Sequence, residues 1–237
     1  MSLPGQDKTS GLAACLMMLL ILLAFTAHAL FSPALSGQRL AAGFARFGDL
    51  QAAGVRESDL PLIAQGIAGY LRGEKEAPQV NLLRHGVMQP AFSQRELEHM
   101  PDVKRLTDWG QLLWRFGLGL AGLLAALALR AWVIRDPGFF PLMGKSLLAA
   151  FLLFMAFLSG LFIWALMDFT GLFYQLHLWL FPNDLWQLNP AEHLMIQLMP
   201  EAFFMDYALS ALRRMAWLLL ALPLGAGLWF LPSRRAK

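Results

Sequence analysis

The sequence predicts an all-α polytopic membrane protein, with four transmembrane helices and a small helical extracytoplasmic subdomain. Three observations lead there. Of 237 residues, 57% are hydrophobic and only 15% charged, well below the roughly one quarter charged of soluble domains. Several apolar runs approach the roughly 20 residues that a helix needs to cross a hydrocarbon core. The basic residues flank those runs and build no patch, so the net charge of +3 does not point to nucleic acid as a partner. Cys15, the lone cysteine, sits in the first run, which excludes an intrachain disulfide.

The first span is expected from about residue 11 to 35. Within it, Ala27-His28-Ala29 resembles a signal-peptidase site and Leu12 to Phe25 would suit a signal-peptide core. An uncleaved span is the preferred reading, and either outcome leaves the next residues outside. Leu12-Ala13-Ala14-Cys15 imitates a lipidation site, but there the apolar stretch precedes the cysteine and here it follows.

Residues 36–108 form a long outer segment with balanced charge, nine Lys or Arg against nine Asp or Glu. Ser58 and Asp59 can cap a helix that starts near Pro61, a residue welcome in a first turn. Leu60, Ile63, Ile67, Tyr70 and Leu71 then share one stripe, which must bury against something, and Gly73 ends the helix. Residues 74–91 read as loop, with Pro78, Gly86 and Pro90 as breakers. Ser93 and Glu96 have capping-box spacing, so a helix starts at Ser93. Pro101 either kinks it or opens a new helix, and His99 lies at that junction. If the helix instead runs on, His99 and Asp102 share a face.

The second and third spans are expected at about 109–134 and 146–167. Arg130, Arg135 and Lys145 bracket the connection between them and mark it as cytoplasmic by the positive-inside rule. The fourth span is expected at about 215–231, followed by Arg234, Arg235 and Lys237. Both termini are then cytoplasmic.

Residues 168–214 form an extracytoplasmic re-entrant or interfacial loop. From His177 to Asp206 the chain has three prolines, many aromatics, four acids and no Lys or Arg. A stretch this apolar with so many helix breakers is expected at the bilayer surface, folded against other parts of the protein. Arg115, Asp168, Arg213 and Arg214 flank the outer ends of the spans. Interfacial pairing and snorkelling is the plain explanation; the functional one is that Arg115 or Arg214 polarises a substrate carbonyl.

The chemistry narrows by residue type. No histidine pair has a short metal-ligand spacing and no cysteine helps, so neither metal nor other cofactor is expected. There is no nucleophile-elbow motif, and Cys15 lies too early in its span to reach an outer site. Acid–base work by histidine remains. His99 has charged neighbours and His177 apolar ones, so the two could hold different protonation states near neutral pH. Taken singly, each histidine is more often structural. His85 and His193 read as solvent-facing loop residues.

The arrangement resembles the lipoprotein intramolecular transacylase family, Lit, of bacterial membranes. One motif is His99-Met100-Pro101-Asp102-Val103-Lys104, just before the second span. Another is Leu176-His177, then Phe181-Pro182-Asn183-Asp184-Leu185-Trp186-Gln187-Leu188, then Pro200-Glu201-Ala202-Phe203-Phe204. The end of the Ile67 to Gly73 stretch matches a Tyr-Leu-x-Gly helix end. Leu176 departs from the aromatic expected there, and Pro101 falls inside the first motif. The resemblance implies a membrane acyltransferase that moves the sn-2 acyl chain of a diacylglyceryl lipoprotein to the α-amine of its N-terminal cysteine. Its partners would be that lipoprotein and membrane lipid, in the bacterial cytoplasmic membrane with the site at the outer leaflet. One histidine acts as base on the ammonium, and the other polarises the ester or protonates the leaving oxygen. His99 is favoured as base because Asp102 or Glu98 could orient it. Asn183, Asp184 and Trp186 are expected to hold the loop and shape the pocket. The competing reading is a non-enzymatic outer-leaflet lipid- or lipoprotein-binding protein.

Overall fold

The structure is a computed structural model that describes residues 6–84 and 86–230, with side chains for 9–84 and 86–215. In chain order the helices are α1 (Gln6–Phe31), α2 (Gly37–Phe47), α3 (Leu50–Ala53), α4 (Leu60–Leu71), α5 (Gln94–Val133), α6 (Phe139–Met167), α7 (Phe169–Leu180), α8 (Leu194–Leu198) and α9 (Glu201–Phe230). Between α4 and α5 lies one hairpin, β1 (Asn81–Arg84) and β2 (Val87–Pro90). Among the described residues, three helices are long and apolar enough to cross a membrane: Thr9–Leu35, Gln94–Val133 and Phe139–Met167. The expected spans 11–35 and 146–167 fall within the first and third, and 109–134 overruns the second by one residue. The expected fourth span, 215–231, overlaps α9, but side chains are described only to residue 215, and residue 231 lies outside the described residues.

The chain forms two compact units. One contains α1 as far as His28, Leu112–Ile163, and the chain from Leu212 onward. In it, Gly117 of α5 faces the Cβ of Ala24 of α1, where any larger residue would collide. Trp114 meets Phe25 edge-on and stacks on His28 at 4.3 Å. α5 ends in a Schellman motif: Asp136 N–H donates to the Ala131 carbonyl and Arg135 N–H to that of Trp132. Arg135 occupies its left-handed position at φ 53°.

The second unit is Ala29–Gln111 with Trp164–Ala211. Its core gathers Leu40 and Phe44 of α2, Ile63 and Ile67 of α4, Leu82 of β1, Met100 of α5, Leu194 and Leu198 of α8, and Phe203 of α9. Full burial of such a side chain stabilises by about 1.5–3 kcal/mol. The α4 stripe is buried as its spacing predicts, at Leu60, Ile63, Ile67, Tyr70 and Leu71. Gly73, at φ 78°, completes a Schellman motif: its N–H donates to the Tyr70 carbonyl and that of Glu74 to Gly69.

Several expectations need correction. Asp59 does not cap α4 with its side chain; both of its carboxylate oxygens bond to Arg56. Residues 74–91 are not all loop. Leu82 pairs with Gln89 and Leu83 with Met88 in an antiparallel hairpin, and Gly86 turns it at φ 80°. Runs of four residues, one ending in proline, carry too little alternation to read as strands. The capping box at Ser93 and Glu96 forms as expected, with Ser93 N–H donating to Glu96 Oε2 at 2.7 Å. No new helix opens at Pro101, because α5 is one helix of 40 residues with Pro101 inside it. Residues 168–214 are more helical than expected. Asp168 N-caps α7, accepting from Gly171 N–H at 2.8 Å, and His177 lies in the last turn of that helix.

Candidate active site

The N-terminal part of α5 is too rich in charge to sit in hydrocarbon, carrying Arg95, Glu96, Glu98, Asp102, Lys104, Arg105 and Asp108 within Gln94–Asp108. Continuity through Pro101 puts His99 and Asp102 on one face, as i, i+3 spacing requires, and both are buried. His99 is 6% exposed, and its Nδ1 is buried without a hydrogen-bond partner.

His177 reaches the same aromatic cluster from α7. Its Nδ1 lies 2.7 Å from the Phe173 carbonyl. A carbonyl only accepts, so Nδ1 carries the hydrogen and the neutral ring keeps its lone pair on Nε2. Phe173, Phe181 and Trp186 surround this imidazole, with ring centroids 4.2, 5.4 and 4.8 Å away. Phe181 also stands edge-on to His99 at 5.1 Å. The two imidazoles therefore rest on one phenylalanine.

Burial sets their charge. It pushes His99 down to about 4; the charge of His177 and, less, that of Arg95 act the same way, while Asp102 opposes. Burial also lowers His177, and the hydrogen bond to Phe173 opposes it. Both rings are neutral near pH 7.

The turn after α7 is pinned to α5 twice. Asn183 Nδ2 donates to Asp102 Oδ2 at 2.7 Å. Arg95 donates to the Asp184 carbonyl and pairs with its carboxylate at 3.4 Å. The turn is also closed on itself: Asn183 Oδ1 accepts from Leu185 N–H, and the Asn183 carbonyl accepts from Trp186 Nε1. The other oxygen of Asp102 takes Arg105, and Glu98 bonds to Gln94. Neither carboxylate hydrogen-bonds His99; Asp102 favours its charged form, but burial disfavours that form more strongly.

Arg115 and Arg214 are exposed and belong to the other compact unit. Arg95 is a cation that acts on His99; its place one turn before His99 is the signal for it in the sequence. From its spacing alone Glu96 is a cap. It is 1% exposed, and its second oxygen accepts Met195 N–H at 2.6 Å, fixing α8 against α5. Lys104 Nζ donates to the Leu71 carbonyl at 3.2 Å, so the end of the first histidine motif ties down the Tyr70–Gly73 helix end. His193 is not a solvent-facing residue. It is 8% exposed and its Nδ1 accepts Asn189 N–H at 2.9 Å. His85 lies outside the described residues. Among the described residues no group of His, Cys, Asp and Glu is arranged to hold a metal ion.

A mostly helical chain with three membrane-length apolar helices defines the class: a membrane-integral protein, here with two histidines packed on one phenylalanine. The chain belongs to the lipoprotein intramolecular transacylase family, Lit, whose family model matches residues 11–204. Its fold is similar to that of the membrane-integral Lit of Bacillus cereus, with a TM-score of 0.65 at 18% identity over 96% of this chain and 94% of that one. Two more structures of the Bacillus cereus protein, with a histidine replaced by arginine or by alanine, each align with a TM-score of 0.60 over 95% of this chain. No curated protein matches.

Proposed function

We propose that the chain transfers the sn-2 acyl chain of a diacylglyceryl lipoprotein to the α-amine of the lipoprotein's N-terminal cysteine, leaving an N-acyl lyso-glyceryl product. Nucleophile and ester belong to one substrate, so no enzyme nucleophile is needed. The protein must fold the lipid head into an attack geometry and move one proton.

His177 is the base in this reading. The substrate ammonium, whose ordinary pKa is roughly 7.7–8.0, gives a first proton to water, and Nε2 takes the second from the attacking nitrogen as the new bond forms. The freed amine attacks the sn-2 carbonyl carbon and a C–N bond forms. Collapse of the tetrahedral intermediate breaks the bond to the sn-2 oxygen, and the proton on Nε2 passes to that oxygen. Neutral His99 donates an N–H to the developing oxyanion, a task for which a lowered pKa is an asset, since the ring stays an uncharged donor. Asp102, Asn183, Asp184 and Trp186 hold the turn that carries Phe181. Arg95 adds a cation that acts on His99.

The reading places the site at the outer leaflet of the bacterial cytoplasmic membrane. Both termini are cytoplasmic, residues 215–231 form a fourth span, and 36–108 and 168–214 lie outside. The basic residues around Arg130–Lys145 and Arg234–Lys237 support this orientation.

The observation that carries the proposal is the pair of neutral imidazoles on Phe181, one with its tautomer fixed by Phe173. The test is mass spectrometry of a purified diacylglyceryl lipopeptide incubated with the protein. Conversion to the N-acyl lyso form is expected for the wild type and not for His99→Ala or His177→Ala. Wild-type conversion by His99→Ala would sink the mechanism.

A further inference from the structure

Phe181 touches both histidines and takes no part in the proton transfers above. It is 8% exposed. Its ring meets His99 at 5.1 Å with the planes 75° apart, and His177 at 5.4 Å and 43°. Among the described residues no other ring contacts both imidazoles. The backbone explains the placement. A residue before proline is driven into extended conformation, and Phe181, before Pro182, has φ −123° and ψ 126°. Its N–H closes α7 by donating to the His177 carbonyl at 2.9 Å. Two and three residues on, Asn183 and Asp184 are tied to α5. The ring is therefore anchored on both sides.

We propose that Phe181 is a positioning residue of the transacylation site, whose ring fixes His99 relative to His177 and keeps water from His99. This rests on the two-histidine reading above. An aromatic ring fills roughly 150–250 Å² of contact surface. Removing it opens a cavity beside an imidazole whose Nδ1 has no partner, and a polar cavity of that size admits water. Water favours the charged imidazole. The charged and titratable groups acting on His99 are His177 of α7 and Asp102 and Arg95 of α5. All three persist when Phe181 is shortened, so a change in His99 titration reports the water.

The experiment uses full-length protein in detergent micelles, with Phe181→Ala, Phe181→Leu and His99→Ala side by side. Turnover of the diacylglyceryl lipopeptide gives kcat and KM, and NMR of ¹³C-labelled histidine gives the His99 titration. Phe181→Ala should lower kcat by about tenfold or more with KM little changed, since misplacement costs rate rather than binding. Its His99 titration should rise from about 4 toward the ordinary 6.5. Phe181→Leu should keep the low titration and recover part of kcat. Wild-type kcat in either Phe181 variant, or a His99 titration unmoved in Phe181→Ala, overturns the proposal. If Phe181→Ala does not fold, the leucine variant decides alone through its kcat. Activity in His99→Ala overturns the two-histidine reading itself, whatever Phe181 does.

Discussion

Asn183 and Asp102 are 81 residues apart in sequence and 2.7 Å apart in space, the side-chain amide of one donating to the carboxylate of the other. This bond joins the turn after α7 to the face of α5 that carries His99. Asn183→Ala should therefore lower kcat by about 10²-fold, the scale of a misplacement near 1 Å, while the protein still purifies as a folded species. Asn183→Asp should be worse, because two carboxylates would then face each other. Turnover of the lipopeptide checks both, and equal activity of Asn183→Ala and wild type would refute the link.

The double variant His99→Ala/His177→Ala should be little slower than either single one, because groups that act as a unit are not additive. Single-turnover conversion measures this. Multiplicative losses would mean that the two rings act in separate steps.

The low titration of His99 has a consequence for stability. Its folded pKa, about 4, lies below its ordinary 6.5, so the unfolded chain binds the proton more readily. The associated stability is complete above pH 6.5 and is lost as pH falls from there through about 4. The full effect is on the order of 3 kcal/mol. The thermal midpoint in detergent should fall over that window, and His99→Gln should flatten the fall.

Cys15→Ala should leave conversion at the wild-type level, because no acyl-enzyme forms. A dead Cys15→Ala protein would point to a covalent route instead.

His193→Ala should cost stability by about 1 kcal/mol, the ordinary net contribution of one hydrogen bond. The bond lost is the one from Asn189 N–H, beside the start of α8. A lowered melting point with part of the activity retained separates this supporting role from those of His99 and His177.

What the sequence made legible was local. The α4 stripe, the stop at Gly73 and the Ser93–Glu96 box each involve residues within a few turns of one another, where spacing is enough. The rest depended on distant partners. Glu96 reads as a cap, yet its other oxygen holds Met195, 99 residues away. Asp59 has the position of a cap and is taken by Arg56 instead. His193 sits among polar loop residues, and only the packing of α8 buries it. Pro101 reads as a break because the lost N–H is visible in sequence, whereas the contacts that keep α5 whole, such as Met100 in the core, are not. Both histidines could be chosen as candidates from their motifs. The tautomer of His177 and the common neighbour Phe181 required coordinates.

One residue, Asp168, separates α6 from α7, and its carboxylate is committed to Gly171 N–H. The junction thus has no slack. One added or deleted residue within α7 between Gly171 and His177 would turn the imidazole, and Phe181 with it, about 100° around the helix axis relative to Asp168, away from His99. The connection at residues 72–80, between α4 and the hairpin, carries no such phase requirement toward the site. Length variation among related chains should therefore collect there and be absent between Asp168 and His177.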